Sequence, residues 1–585
     1  MAIVSQQHGR RGGVGAFPIT LIAVLLGLLG AAPTHGQLPD SAATLRAARS
    51  AQARFELIRR NNLPWKWSGG RGECDERIGR FCLTHGDDDS DWRPPPEPEK
   101  VQQARVELLA RLDSAAARIS GDGWIAGQQV RYHAETNGHT RALRAAEECR
   151  AVPWWCRALA GYALHAAGDY AAADSVFAIA LTQMPAKERR DWTDVSVLLT
   201  EGWRGYRRAE GVERDSLERR FWWLADPLWM TPGNERRTEH FARHVMDRLQ
   251  DRSRSAEGTS WGFDLRELLL RYGYPVGWER ERPSSPTMSM GSASMVGHYA
   301  PGGRQFIPPI RFVDTPTAIR SDEWNIKVRR ARSEFALPYA RWSDSLQHQL
   351  AAFRRGDSTV WVAAYTLAAD TAVRGPVDAA LVVAAHEHAQ PVMARAAGES
   401  AGALSIRVPP QPAVLSLELL TRGDSARAAR VRYGIQPQPM PATGIALSDI
   451  LLLAPADPLP RSLPEVVQVA RGSTRVRSGE RVGLYWEVYG LPPGTEAIDV
   501  SVTLNRDGRN WLRRAQSPIQ LSWQERPGEG AVLGRSLLVT LPELPPGRYT
   551  LQVTVAPEGG QAATASRVVE VARPATPRTS ASQAP

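Results

Sequence analysis

The chain has almost no lysine. Only Lys66, Lys100, Lys187 and Lys327 stand among 72 basic residues; the rest are arginines spread along all 585 positions, and Asp plus Glu number 62. The formal charge of +10 is therefore not gathered into the basic stripe that tracks a phosphate backbone, and no nucleic-acid partner is expected. Cysteine is equally scarce, with four residues in two close pairs, Cys74/Cys82 and Cys149/Cys156. Their spacing is not that of C-x2-C ligands and only His85 lies near the first pair, so a thiolate metal site is not expected. Three pairings are formally open to four cysteines, and in an oxidising compartment the two local ones are favoured. A long hydrophobic run is missing too, because the longest, residues 17–32, is too short for a comfortable membrane span. No phosphate loop, metal helix or nucleophile–base–orienter set is recognisable, and no cofactor or metal is expected.

What is present begins with the marks of export. Arg10 and Arg11 precede the apolar run, and small and polar residues, APTHGQLPD, follow it. That is the layout of a secretory signal peptide over residues 1–36, cut near Gly36/Gln37 or after Ala32, with an uncleaved anchor as the alternative. No Cys lies near the cut, so no lipid anchor is expected, and no transmembrane span remains once the leader is removed. The expected location is periplasmic or secreted.

The organisation expected is multidomain α+β, helical first and β-rich later. Residues 37–100 hold a first helix at 44–61, stopped by Asn61-Asn62 and Pro64, and a Gly-rich loop tied by Cys74 and Cys82. The acidic run 87–91 lacks the turn Gly and closing Glu of a calcium loop and reads as a linker into Pro94-Pro95-Pro96. Residues 101–210 contain an internal repeat: Trp124, Gly138, Ala142 and Cys149 recur thirty residues on as Trp154, Gly168, Ala172 and Ile179. The second copy, WWCRALAGYALHAAGDYAAADSVFAIALTQMP, resembles a tetratricopeptide repeat. Gly161, Ala172 and Ala180 would let two helices approach, with Tyr162, Phe177 and Leu181 in the seam and capping helices at 101–119 and 191–209. On the inner face of such an array Trp155, Tyr162 and His165 are candidate anchors for a protein partner; a helical hairpin with no groove is the alternative.

Residues 211–300 carry the most specific signal. The segment FWWLADPLWMTPGNERRTEHFARHV is followed by SWGFDLRELLLRYGYPVGWER. Its order, Asp226-Pro227, Thr231-Pro232, Asn234-Glu235, Glu239, Arg243, then Trp261, Asp264, Tyr272, Gly273 and Pro275, resembles the GWxTD domain of exported bacterial proteins. Ser260 stands for the motif Gly and Phe263 for its Thr. A weaker likeness in GIALSDILL extends the resemblance to residues 211–453. It implies a short strand from 264 ending in the Tyr272-Gly273-Tyr274-Pro275 turn, with helix as the alternative. Thr231-Pro232 offers a helix start for 233–250. Asp226, Glu235, Glu239 and Asp264 could form an acidic catalytic site walled by Trp261, or could be caps and ion pairs to Arg236, Arg237 and Arg243. His240 and His244 are four apart, but Phe241 takes the place of a metalloprotease Glu, so surface histidines are expected. Trp261 is expected to be largely buried, and Asp264 to bond backbone or an Arg within 211–300.

A Pro-, Ser-, Met- and Gly-rich stretch leads into a connector at 301–345. Residues 346–460 read as a β-sandwich: a short helix at 350–355, then runs at 359–366, 377–385, 403–408, 413–421 and 426–433. His386 and His388 fall at a hairpin tip. Residues 461–573, with strict alternation in Val482/Leu484/Trp486/Val488 and Tyr549/Leu551/Val553/Val555, read as an immunoglobulin-like sandwich, and 574–585 as a disordered tail. The function expected is that of an exported interaction or scaffold protein with a protein partner in the bacterial cell envelope. The alternative is an envelope-polymer hydrolase, for which two carboxylates about a glycosidic bond would suffice.

Overall fold

The computed structural model describes residues 2–5, 38–66, 74–84, 93–281, 294–367, 376–423, 426–437, 444–507, 519–528 and 530–573. The apolar leader run and its cut site, the acidic run at 87–91 and the tail at 574–585 lie outside the described residues. The chain is mixed α+β, helices first and strands later, in two compact units. One comprises Met1–Pro227, Thr231–Pro308 and Asn325–Leu337; the other comprises Leu228–Met230, Pro309–Trp324 and Pro338–Pro585. The helical stretch and the motif stretch, read above as separate domains, thus share one unit.

In the first unit the helices are α1 (Leu38–Asn62), α2 (Glu99–Arg118), α3 (Gly123–Ala134), α4 (His139–Glu147), α5 (Pro153–Ala166) and α6 (Tyr170–Gln183). They continue as α7 (Ala186–Thr193), α8 (Arg204–Arg208), α9 (Gly211–Ala225), α10 (Glu235–Asp251) and α11 (Phe263–Tyr272). The starts follow local chemistry. Asp122 accepts from the Trp124 and Ile125 amides ahead of α3, Asp169 accepts from Ala172 ahead of α6, and Pro153 stands in the first turn of α5. Helices α5 and α6 meet closely, since a Cβ on Gly161 would lie 2.9 Å from the Phe177 ring. The single capping helix expected at 191–209 is instead α7, a 3-10 turn and α8.

Helix α10 begins later than expected. Gly233 adopts φ +85°, which ends any helix there, and the Asn234 side chain caps the Arg237 amide. Phe241, Ala242, Val245 and Leu249 of α10 join Val130, Trp154, Ala158, Leu159 and Phe177 in one apolar core. Glycine permits this too, because a Cβ on Gly127 of α3 would meet Leu249 at 2.3 Å. The stretch given above as a strand is α11. Leu265, Leu268, Leu269 and Tyr272, all buried, recur at i, i+3, i+4 and i+7, a helical period that the Leu run had masked.

Among the described residues six strands complete this unit: β1 (Ala2–Ser5), β2 (Trp65–Lys66), β3 (Glu76–Ile78), β4 (Phe81–Thr84), β5 (Gly277–Glu281) and β6 (Ser294–His298). They form one sheet in the order β2-β5-β6-β1-β4-β3. Strands β3 and β4 form a hairpin crossed by the Cys74–Cys82 disulfide, and Cys149–Cys156 ties the end of α4 to α5, so both local pairings are formed. Against expectation for a leader, Ala2–Ser5 is a strand within this sheet.

The second unit is built from sheets that share apolar cores. Strands Val377–Ala384 and Ala413–Thr421 lie in a five-stranded sheet, and Gln347–Arg355, Ser358–Thr366 and Ala401–Val408 form a three-stranded one. Ala363, Leu381, Leu404, Leu415 and Leu417 fill the core between them. The helix expected at 350–355 is strand, with Gln349, Ala351 and Phe353 buried at alternate positions, the period of a strand. Ala446–Leu447 and Leu451–Leu453 pair with Arg481–Tyr489, so the second sandwich begins before the expected boundary at 460/461. A cluster of Val482, Trp486, Val500, Leu551 and Val553 forms its core. Within this unit Glu418 is buried against Arg432 at 3.2 Å and accepts the Met230 amide at 2.7 Å, while Arg432 lies over the Trp229 ring at 4.0 Å.

Candidate functional site

The motif residues converge around the ends of α11. Asp264, in its first turn, accepts from the Arg80 amide at 3.2 Å and the Arg80 guanidinium at 2.6 and 2.8 Å, and from the Leu265 amide at 2.9 Å. Burial alone would raise its pKa, but these bonds hold the carboxyl below its ordinary value. The backbone bond expected within 211–300 is formed with Leu265, while the arginine partner comes from the β3–β4 turn rather than from 211–300. That turn needs glycine: Gly79 has φ +54°, and a Cβ there would lie 2.5 Å from Asp264 Cβ. At the other end Gly273 leaves the helix with φ +90°. Tyr272 donates to the Ala331 carbonyl at 3.0 Å and accepts from Arg271 at 2.6 Å, and the Tyr274 hydroxyl accepts from Arg131 at 3.1 Å.

Trp261 is half-buried. Its indole N–H donates to Asp247 at 2.8 Å, and its ring packs on the cluster of Leu265, Leu268 and Tyr272. Phe263 is 89 % exposed and is not part of this cluster. Beside Trp261 is a small cavity of about 20 Å³, lined by Phe81 from β4, Met295 and Gly297 from β6, Leu265, Leu268 and Leu269 from α11, Tyr274, Pro275 and Tyr299. Its one acidic lining residue is Glu257. Burial pushes that carboxyl above its ordinary range against a hydrogen bond from Ser255, and among the described residues its Oε2 finds no partner.

The four carboxylates proposed for catalysis are each engaged elsewhere. Glu239 accepts from Arg243 at 2.7 Å and shares a 2.8 Å hydrogen bond with His165, whose other ring nitrogen lies 2.9 Å from the Thr238 hydroxyl. Burial opposes its ionisation, yet Arg243 and His165 bring the pKa down to about 2. Glu235 is fully buried in the first turn of α10, and Asp226 is buried where α9 ends. None of the four lines the pocket beside Trp261. Of the expected arginine partners, Arg243 holds Glu239 and Arg237 holds Asp174, while Arg236 is buried near the Trp222 and Phe335 rings.

Two further expectations are corrected by burial. Trp155, Tyr162 and His165 are not offered to a partner, because α10 packs along α5. Trp155 is 4 % exposed and donates to the Gly123 carbonyl, and Tyr162 packs against the core, where burial pushes its phenol pKa up. His165 is held by Glu239. His240 and His244 are buried rather than on the surface: His240 bonds the Trp192 carbonyl at 3.0 Å and His244 stacks on the Trp192 ring. Burial lowers both pKa values, that of His244 to about 3, so both rings are neutral at neutral pH. Among the described residues no group of His, Cys, Asp and Glu is arranged to hold a metal ion.

Sequence reasoning missed a buried polar network that joins α1, α3 and the motif turn. Glu56 accepts from Arg131 at 3.0 Å and from Tyr132 at 2.6 Å; Arg131 also holds Glu135, to which Arg59 is paired. Arg131 lies in GWIAGQQVRYHA, where only an arginine within an apolar helix hinted at it.

No family model and no curated protein matches the chain. Among solved structures, red sea bream transglutaminase is 11 % identical with a TM-score of 0.13, covering 39 % of this chain. A Bacteroides uniformis β-glucuronidase is 12 % identical with a TM-score of 0.16, covering 37 %. The chain spans only 32 % and 26 % of those two structures, and likeness at this level assigns neither fold nor activity.

Proposed function

We propose that this is an exported protein-binding protein of the bacterial cell envelope, built on a GWxTD-like unit whose α10 fills the groove of tetratricopeptide-like helices. The observation that carries this reading is how the candidate acids are used. Asp264 is neutralised by Arg80 and Glu239 by Arg243 and His165, while Glu235 and Asp226 are buried, so none is presented as a general acid or nucleophile. The cavity beside Trp261 is apolar and aromatic with a single acid, and none of the four candidate acids reaches it. Two disulfides support passage through an oxidising compartment, and no described helix is long and apolar enough to cross a membrane. The test is incubation of the exported protein with peptidoglycan and with envelope polysaccharides. No product should form; turnover that Asp264→Ala abolishes would establish the hydrolase instead.

A further inference from the structure

Strand β1 occupies a place that an exported chain would leave vacant. Ala2–Ser5 runs antiparallel to β4, with Ala2 opposite Thr84 and Ser5 opposite Phe81, and antiparallel to β6, with Ala2 opposite His298 and Val4 opposite Val296. Strands β4 and β6 each have one other neighbour, β3 and β5. Removal of the leader, which belongs to the reading proposed above, would leave between them a gap of two strand spacings, about 10 Å, room for one extended chain. Both rims of that gap would carry unpaired backbone N–H and C=O groups. Such groups next to a packed layer are a template for another strand. The layer is packed: Phe81, Leu83 and Val296 are buried. The same two strands also supply Phe81, Met295 and Gly297 to the pocket beside Trp261, so the gap and the pocket are contiguous.

We propose that the exported protein binds an extended peptide segment of a protein partner as a strand between β4 and β6, antiparallel to both, beside the Trp261 pocket. The chemistry of the occupant follows from the slot. A strand hydrogen-bonded on both edges uses its N–H groups to both sides, so proline is excluded at the paired positions. Strand-forming apolar residues suit it, as in the Ala-Ile-Val-Ser that occupies it here.

The test uses the exported chain recovered from the periplasm of expressing cells, with its disulfides intact. The probe is a fluorescent peptide of residues 1–9, followed by anisotropy and by amide hydrogen exchange of the protein. Saturable binding is expected, with slowed exchange at 81–84 and 294–298, and the peptide carrying Val4→Pro should bind at least tenfold more weakly. Absence of binding, equal binding of the proline peptide, or protection elsewhere overturns the slot. Intact mass showing that residues 2–5 stay on the exported chain overturns it as well. The wider reading fails separately, on polymer turnover, so a slot that takes no peptide in a protein without turnover leaves the binding function standing.

Discussion

Replacing Glu239 by Gln removes the charge that holds α10 to α5 while preserving shape. In the folded chain its carboxylate is bonded by Arg243, itself 3 % exposed, and by His165, and its pKa falls from an ordinary 4.5 to about 2. At about 1.4 kcal/mol per pKa unit, the folded environment favours the ionised form by about 3 kcal/mol. Loss of one partner from a buried pair costs on the order of 3–5 kcal/mol by mutagenesis, which agrees. Because the folded pKa is depressed, this stability is present above the unfolded value near 4.5 and is lost as pH falls through 2. Glu239→Gln should therefore lower the urea-unfolding free energy by about 3 kcal/mol at pH 7. The deficit should shrink progressively between pH 4.5 and 2. A deficit below about 1 kcal/mol at pH 7, the worth of an exposed pair, or one that does not change with pH over that window, would refute the reasoning.

Trp261→Ala removes a half-buried ring and its bond to Asp247, and should cost about 2–3 kcal/mol, below the range for fully buried aromatics, measured as a drop in melting temperature. Gly273→Ala places a Cβ where φ is +90° and Arg243 lies 3.2 Å away; a loss of about 1–3 kcal/mol is expected, and an unchanged midpoint would contradict the strain argument. Each disulfide closes a short loop, separations 8 and 7, so replacing either pair by Ser should cost at most about 2–3 kcal/mol, with non-reducing peptide mapping of the wild type finding Cys74–Cys82 and Cys149–Cys156.

Much of the local structure was legible. Apolar spacing marked α1, the internal repeat marked α5 and α6, and the need to cap such an array marked α2. The pleated alternation of 482–488 and 549–555 marked strands. Misreadings fell where a short run fits both periods. The leucine run of α11 fits a strand as well as a helix, and 350–355 fits a helix although Gln349, Ala351 and Phe353 alternate inward. Nothing local to His240 and His244 shows that α7 and its Trp192 will cover them, so the sequence there fits a surface position. The motif letters Trp261, Asp264, Tyr272, Gly273 and Pro275 located the candidate site, but Glu257 and the two strands that flank it carry no motif.

By itself the sequence favoured local pairing of its cysteines, set the order of helical and β-rich regions, and marked a turn at Tyr272-Gly273-Tyr274-Pro275. Each depends on residues within a few positions of one another, where periodicity, turn chemistry and short loop closure act. Tertiary structure decided which arginine meets Asp264, a contact 184 residues apart; that α10 fills the helical groove; and that β4 and β6 flank a common strand. Arginines are scattered everywhere along this chain, so the pattern cannot say which one a carboxylate will find. That choice follows from which apolar faces bury each other, because burial forces each charge carried inward to take the partner that lands beside it.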